Sequence, residues 1–110
     1  MEKNFALRMW TLVNSEERAN ERPESFKIPS RDVRDNLNAG MLAKLIFEFE
    51  DPDLRKDGIE AERMWVKVTG RDGSGYYKGV LDNDPMYITG LKADDEIRFG
   101  PENVIDIWED

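Results

Sequence analysis

From residue 63 to residue 82 apolar and polar side chains alternate, with one break at a run of glycines. A period of two sends successive side chains to opposite faces of a strand, so the pattern predicts two strands joined as a hairpin. Met64, Val66 and Val68 form the face predicted to point inward. Trp65, Lys67 and Thr69 form the other, where Trp65 is costly unless something covers it. The break reads Gly70-Arg71-Asp72-Gly73-Ser74-Gly75. Asp72-Gly73 suits a turn that needs positive φ, and Gly75 suits a bulge. The return strand covers 76–82, and Gly79 within it predicts a sharp bend or a close backbone approach. A phosphate-binding loop would need a helix N-terminus behind the glycines, whereas β-branched and aromatic residues flank these.

A second alternation covers 41–49. Met41, Ala43, Leu45, Phe47 and Phe49 form a wholly apolar face, while Leu42, Lys44, Ile46 and Glu48 form one that is apolar in part. Such a strand belongs at the centre of a small curved sheet. Before it, Phe26-Lys27-Ile28-Pro29 reads as extended chain, because the residue before proline avoids the α region. Ser30 is a good N-cap and Asp32 stands where the helix dipole favours a carboxylate. The predicted helix covers 31–37, with Val33 and Leu37 on one face and Gly40 ending it. Upstream, the alternation of residues 5–13 fits a strand and fits a short helix as well. Residues 14–25, NSEERANERPES, lack the apolar spacing of a partner helix and read as a mobile connecting segment.

The segment 50–62, EDPDLRKDGIEAE, invites a calcium reading. Aligned on Asp51, a calcium loop would put Asp53, Asp57 and Glu62 at liganding positions. Arg55 would then stand where an oxygen is needed and Lys56 where glycine is required, which rejects the alignment. It reads instead as a solvated loop between strands, with turns at Asp51-Pro52 and Asp57-Gly58.

Asp82-Asn83-Asp84-Pro85 is turn chemistry, since Asx side chains bond their own backbone and proline sets φ. With Tyr76, Tyr77 and Tyr87 flanking it, this corner reads either as a polar recognition loop or as a turn whose tyrosines simply cover the hairpin. Next, Leu91-Lys92-Ala93-Asp94-Asp95 echoes Leu37-Asn38-Ala39-Gly40-Met41. Each leucine anchors a tight turn before an alternating strand. Asp94 takes the place of Gly40, and Asp tolerates the left-handed region better than most residues. The last strand is predicted at 96–99, with Ile97 and Phe99 inward. Residues 100–103 turn again, and Val104, Ile105, Ile107 and Trp108 are predicted to close the core from a short strand or a helical turn.

At 110 residues the chain is read as a single domain over 1–110, large enough for one core. Its net charge of −8 disfavours nucleic acid and anionic lipid, and it favours solubility or a basic protein partner. It has no cysteine and no histidine, which removes disulfides, thiolate chemistry, the common zinc sites and histidine acid–base catalysis. No cofactor or metal is expected. No apolar run reaches the roughly 20 residues that span a bilayer, and residues 1–13 lack a signal-peptide pattern. The expected location is cytoplasmic.

The runs MWVKVTG, GYYKGVLDNDP, LKADDEIRF and NVIDIW resemble the YegJ-like family of small bacterial domains of unknown function. In that family's pattern a W-V-x-V strand, here Trp65-Val66-Lys67-Val68, leads to a G-x-L-x-N-x-P corner, here 79–85. An L-K-x-G-D-x-V strand and a closing I-x-D-W follow. Two positions depart from it. Asp94 replaces the usual glycine, and Ile107 precedes Trp108 where aspartate is expected. The likeness covers about 63–108, and more weakly 28–49. It implies a fold and no catalytic residue. By analogy, small acidic domains of this kind include immunity proteins of bacterial toxin systems.

The expected fold is therefore α+β: a small, strongly bent antiparallel sheet with one short helix in the N-terminal half. An SH3-like partial barrel is one form of it, whereas alternating long helices and parallel strands are excluded. Two functions fit. The first is a non-catalytic acidic protein-binding module, immunity-like, docking a basic partner through Tyr77, Asp82, Asn83, Asp84 and Tyr87. The second is a hydrolase working with carboxylates alone, which would need two acids in one cleft and a raised carboxylate pKa.

Overall fold

The structure, a computed structural model, describes residues 10–49, 61–88 and 90–109. Six strands form one antiparallel sheet: β1 (Trp10–Leu12), β2 (Leu42–Phe49), β3 (Ala61–Arg71), β4 (Tyr77–Leu81), β5 (Glu96–Phe99) and β6 (Val104–Trp108). Two short helices, α1 (Ser15–Glu21) and α2 (Arg31–Arg34), precede β2, and a 3₁₀ turn (Pro101–Asn103) joins β5 to β6. The order is β1-β2-β3-β4-β5, with β6 also on β2. The outer edge of β2 is thus shared: Leu42 to Leu45 pair with β6, and Phe47 to Phe49 pair with β1.

That sharing forces the sheet to curl. Laid flat, β6 and β5 would stand four strand spacings apart, about 19 Å. Their connection is a 3₁₀ turn that rises only about 2 Å per residue. The edges must therefore bend toward each other, which makes a curled antiparallel half-barrel, the strongly bent α+β sheet expected from the sequence. Inside the curl lie Ala43, Leu45, Phe47 and Phe49 of β2, facing Met64, Val66 and Val68 of β3 and Ile97 and Phe99 of β5. The half-apolar face of β2 is covered too: Ile46 packs with Val13 and Ile105 under Phe26 and Ile28. Trp65 on that outer face has the Lys44 ammonium 5.3 Å from its ring centre, which offsets its exposure.

The glycine expectations hold at two places. A Cβ on Gly79 would stand 2.6 Å from the Lys67 carbonyl oxygen and from a Val66 methyl, so β4 can approach β3 only with glycine there. Asp94 has φ 74° in the place where Gly40 has φ 98°. The two turns are bonded alike. Gly40 N donates to Val68 O and Val68 N to Met41 O, both at 2.8 Å, while Met41 N donates to Asn38 O at 3.1 Å. Asp94 N donates to Leu81 O, Leu81 N to Asp95 O and Asp95 N to Lys92 O, at 2.7, 2.9 and 3.1 Å. The same clasp therefore docks two strand starts onto two neighbouring strands.

Three expectations need correction. Residues 14–25 carry α1 rather than plain connecting chain. The helix has no apolar stripe because other forces hold it: Asn14 caps Glu17 N, and Glu16 and Glu17 occupy the first turn. The predicted helix over 31–37 stops at Arg34, leaving Val33 exposed. Its next turn is diverted because the Tyr77 hydroxyl accepts from Leu37 N at 3.1 Å and donates to Arg34 O at 2.7 Å. Finally, Trp108 is 58% exposed and does not close the core, a role that Val104 and Ile105 fill from β6. Of residues 5–13 the structure describes 10–13, of which Trp10–Leu12 is strand.

Candidate functional site

The corner after β4 is held to β3 by one backbone bond and one side-chain bond, which together continue the sheet's pairing. Asp82 N donates to Trp65 O at 2.9 Å, and the Asn83 side-chain oxygen accepts from Trp65 N. Both backbone groups of Trp65 are thereby used. Four residues on, one carboxylate gathers three successive backbone donors. Glu62 Oε2 accepts from Met86 N at 2.5 Å, and Oε1 accepts from Tyr87 N and Ile88 N at 3.1 Å each. Consecutive N–H groups that converge in this way form a nest for an anion, and here the anion is a side chain of the same protein. Ile88 is buried and anchors the far end.

What remains outside is defined by that anchoring. Met86 is 78% exposed and Tyr87 39%, on a loop whose backbone is fixed on both sides. Asp82 and Asp84 are exposed beside them, and Asn83 is half-buried in its structural bond. Tyr77, predicted to share this surface, does not reach it. Its ring is fully buried against Phe99, with ring centres 5.3 Å apart, and its hydroxyl is saturated by Arg34 O, Leu37 N and Arg71. Tyr76 covers the hairpin turn under the Arg98 guanidinium, 4.3 Å from its ring centre. Met86 and Glu62 are what sequence reasoning missed. A signal for Glu62 existed: the alternation of Met64, Val66 and Val68, continued one step back, places a carboxylate on the inward face.

Glu62→Ala is expected to free the three amides. A bond to a charged acceptor contributes about 1.5–3 kcal/mol. Hydrogen exchange at Met86, Tyr87 and Ile88 should therefore quicken by about tenfold or more, while Val68 and Leu81 stay protected. Unchanged exchange at 86–88 would mean that the nest does not hold the loop.

The shifted carboxylates lie elsewhere and have structural causes. Arg98, donating to Asp72 at 2.5 Å, holds that carboxyl far below the usual range, helped by Ser74. The Arg34 hydrogen bond lowers Glu16, and Lys92 lowers Asp95. Among the described residues no three acidic side chains converge as a metal site. Asp51, Asp53 and Asp57 of the rejected calcium alignment lie outside the described residues. Among the described residues no helix is long and apolar enough to cross a membrane.

A family model described as an uncharacterized protein conserved in bacteria (DUF2314) matches residues 11–109. The chain belongs to this family. The DUF2314 match runs from within β1 to beyond β6 and so takes in both clasping turns and the corner. No curated protein and no solved structure matches the chain.

Proposed function

We propose that this DUF2314 domain is a non-catalytic protein-binding module that docks a basic partner at the corner formed by residues 82–88. The observation that carries the reading is Met86, a large apolar side chain held out in solvent by a loop whose backbone Glu62 makes rigid. A rigid loop loses little entropy on binding, and an exposed methionine beside a tyrosine supplies adaptable contact area. Asp82 and Asp84 border it and match the sign of the net charge of −8, so a basic partner is steered toward it. Asn83 positions the loop through its bond to Trp65 N. The analogy with acidic immunity proteins, which the YegJ-like motifs brought in, suggests the same partner class, and we place the module in the cytoplasm. No cofactor enters this reading.

The test begins with a photo-crosslinking residue at position 86 of the full chain in native lysate, with position 78 on the hairpin as control. The basic protein that crosslinks only from position 86 is then purified and its kinetics measured. Asp84→Lys should slow association and flatten its salt dependence. Tyr87→Ala should raise the dissociation rate about tenfold, equivalent to about 1.4 kcal/mol. Wild-type kinetics in both variants, at unchanged melting temperature, would remove the corner as the interface.

A further inference from the structure

On the outer face of the sheet, away from the inward-pointing Glu62, a cleft of about 230 Å³ opens between the segment 25–27 and strands β2, β3 and β6. Its charged lining is Lys27, Lys44, Arg63 and Asp106. The chain has 24 acidic residues against 16 basic ones, yet here three cations meet one carboxylate. Elsewhere Arg22, Lys67, Arg71 and Lys78 stand without a near carboxylate among the described residues but do not line this cleft, while Arg18, Arg31, Arg34, Lys92 and Arg98 each have a carboxylate within 4 Å. Among the described residues Lys27, Lys44 and Arg63 have none. Lys27 donates only to the Pro23 carbonyl, at 3.4 Å.

Aromatic rings back two of these cations. Lys44 Nζ sits 5.3 Å from the Trp65 ring centre, and the Arg63 guanidinium 5.9 Å from that of Phe26. A cation seated on a ring has one side occupied and keeps its N–H donors for another partner. The register puts Lys44 opposite Trp65 and Arg63 opposite Ile46, so the two cations stand on one face as diagonal neighbours across adjacent strands.

The geometry points to an oxyanion-binding site in this cleft, taking a phosphate or carboxylate group between Lys44, Arg63 and Lys27. The arginine fork suits the paired oxygens of either group, and the lysines supply point charges. The volume lies below the roughly 300 Å³ at which sites for drug-sized molecules begin, so the cleft fits a small anion or the terminal group of a larger one. Neither its cations nor its rings belong to residues 82–88, so its test does not draw on the corner's side chains.

Backbone and side-chain NMR of the full chain, titrated with sodium phosphate or sodium acetate against sodium chloride at matched ionic strength, tests it. The expected result is saturable shifts confined to Phe26, Lys27, Lys44, Arg63, Trp65 and Asp106, with the stronger of the two anions naming the source. Lys44→Gln with Arg63→Gln should weaken binding at least about tenfold. Asp106→Asn should tighten it, a gain that loss of structure cannot mimic. Shifts that rise linearly and equally in chloride, or binding that survives the double variant, would overturn the proposal.

Discussion

Replacing Phe47 by alanine is expected to destabilise the domain by about 3–5 kcal/mol. Phe47 is fully buried on the inward face of β2, and Trp10 meets its ring edge-on with centres 5.2 Å apart. It stands at the point where β2 leaves its pairing with β6 and takes up β1. The cavity therefore opens where the half-barrel is stitched from two short strands, and collapse around it would have to move β1. Total stabilities of single domains are about 5–15 kcal/mol, so this one ring holds a large share. Urea melts read it as a fall in midpoint at nearly constant slope. A loss under about 1 kcal/mol would place Phe47 outside the core.

Arg34→Ala is the second large effect. The side chain is buried, and its guanidinium spans three acceptors: Pro29 O at 2.7 Å, Pro101 O at 2.9 Å and Glu16 Oε2 at 2.6 Å. Those bonds tie α1, α2 and the 3₁₀ turn together, and Ser15 and Asn103 add links to Asn103 O and Val13 O. Removing the donor strands two carbonyls at about 1–3 kcal/mol each, partly relieved by water, so the expected loss is about 2–4 kcal/mol. Arg34→Lys should restore little, because one ammonium cannot reach three acceptors placed for a planar fork.

The same residue sets a pH dependence. Arg34 bonding lowers the Glu16 pKa below its ordinary value of 4.5. A carboxyl that is more acidic folded than unfolded stabilises the fold above the unfolded pKa, and that stability is lost as pH falls through the folded one. Asp72 and Asp95 are shifted the same way by Arg98 and Lys92. Stability should thus fall on acidification below about pH 4.5. In Arg34→Ala the fall should be shallower, since the largest cause of the Glu16 shift is gone while its bond to Arg31 and the other two pairs remain. An equally steep acid limb in the variant would show that the Arg34–Glu16 bond contributes nothing to it.

Residue order alone determined the strands and their facing, because a two-residue period is a local property of the backbone. Met64, Val66 and Val68, and Ala43, Leu45, Phe47 and Phe49, point inward as their alternation requires. The left-handed turn at Asp94 and the close approach at Gly79 were legible for a similar reason, since each is a steric demand on one residue. The polar fastenings were decided only by tertiary structure. Tyr77 reaches Arg34 across 43 residues, Arg34 reaches Pro101 across 67, and Glu62 reaches Met86 across 24. No periodicity links such pairs. Curling brings them together, and burial then requires each polar group to find a partner, which turned a predicted surface tyrosine into a core strut and a loop carboxylate into the anchor of the candidate site.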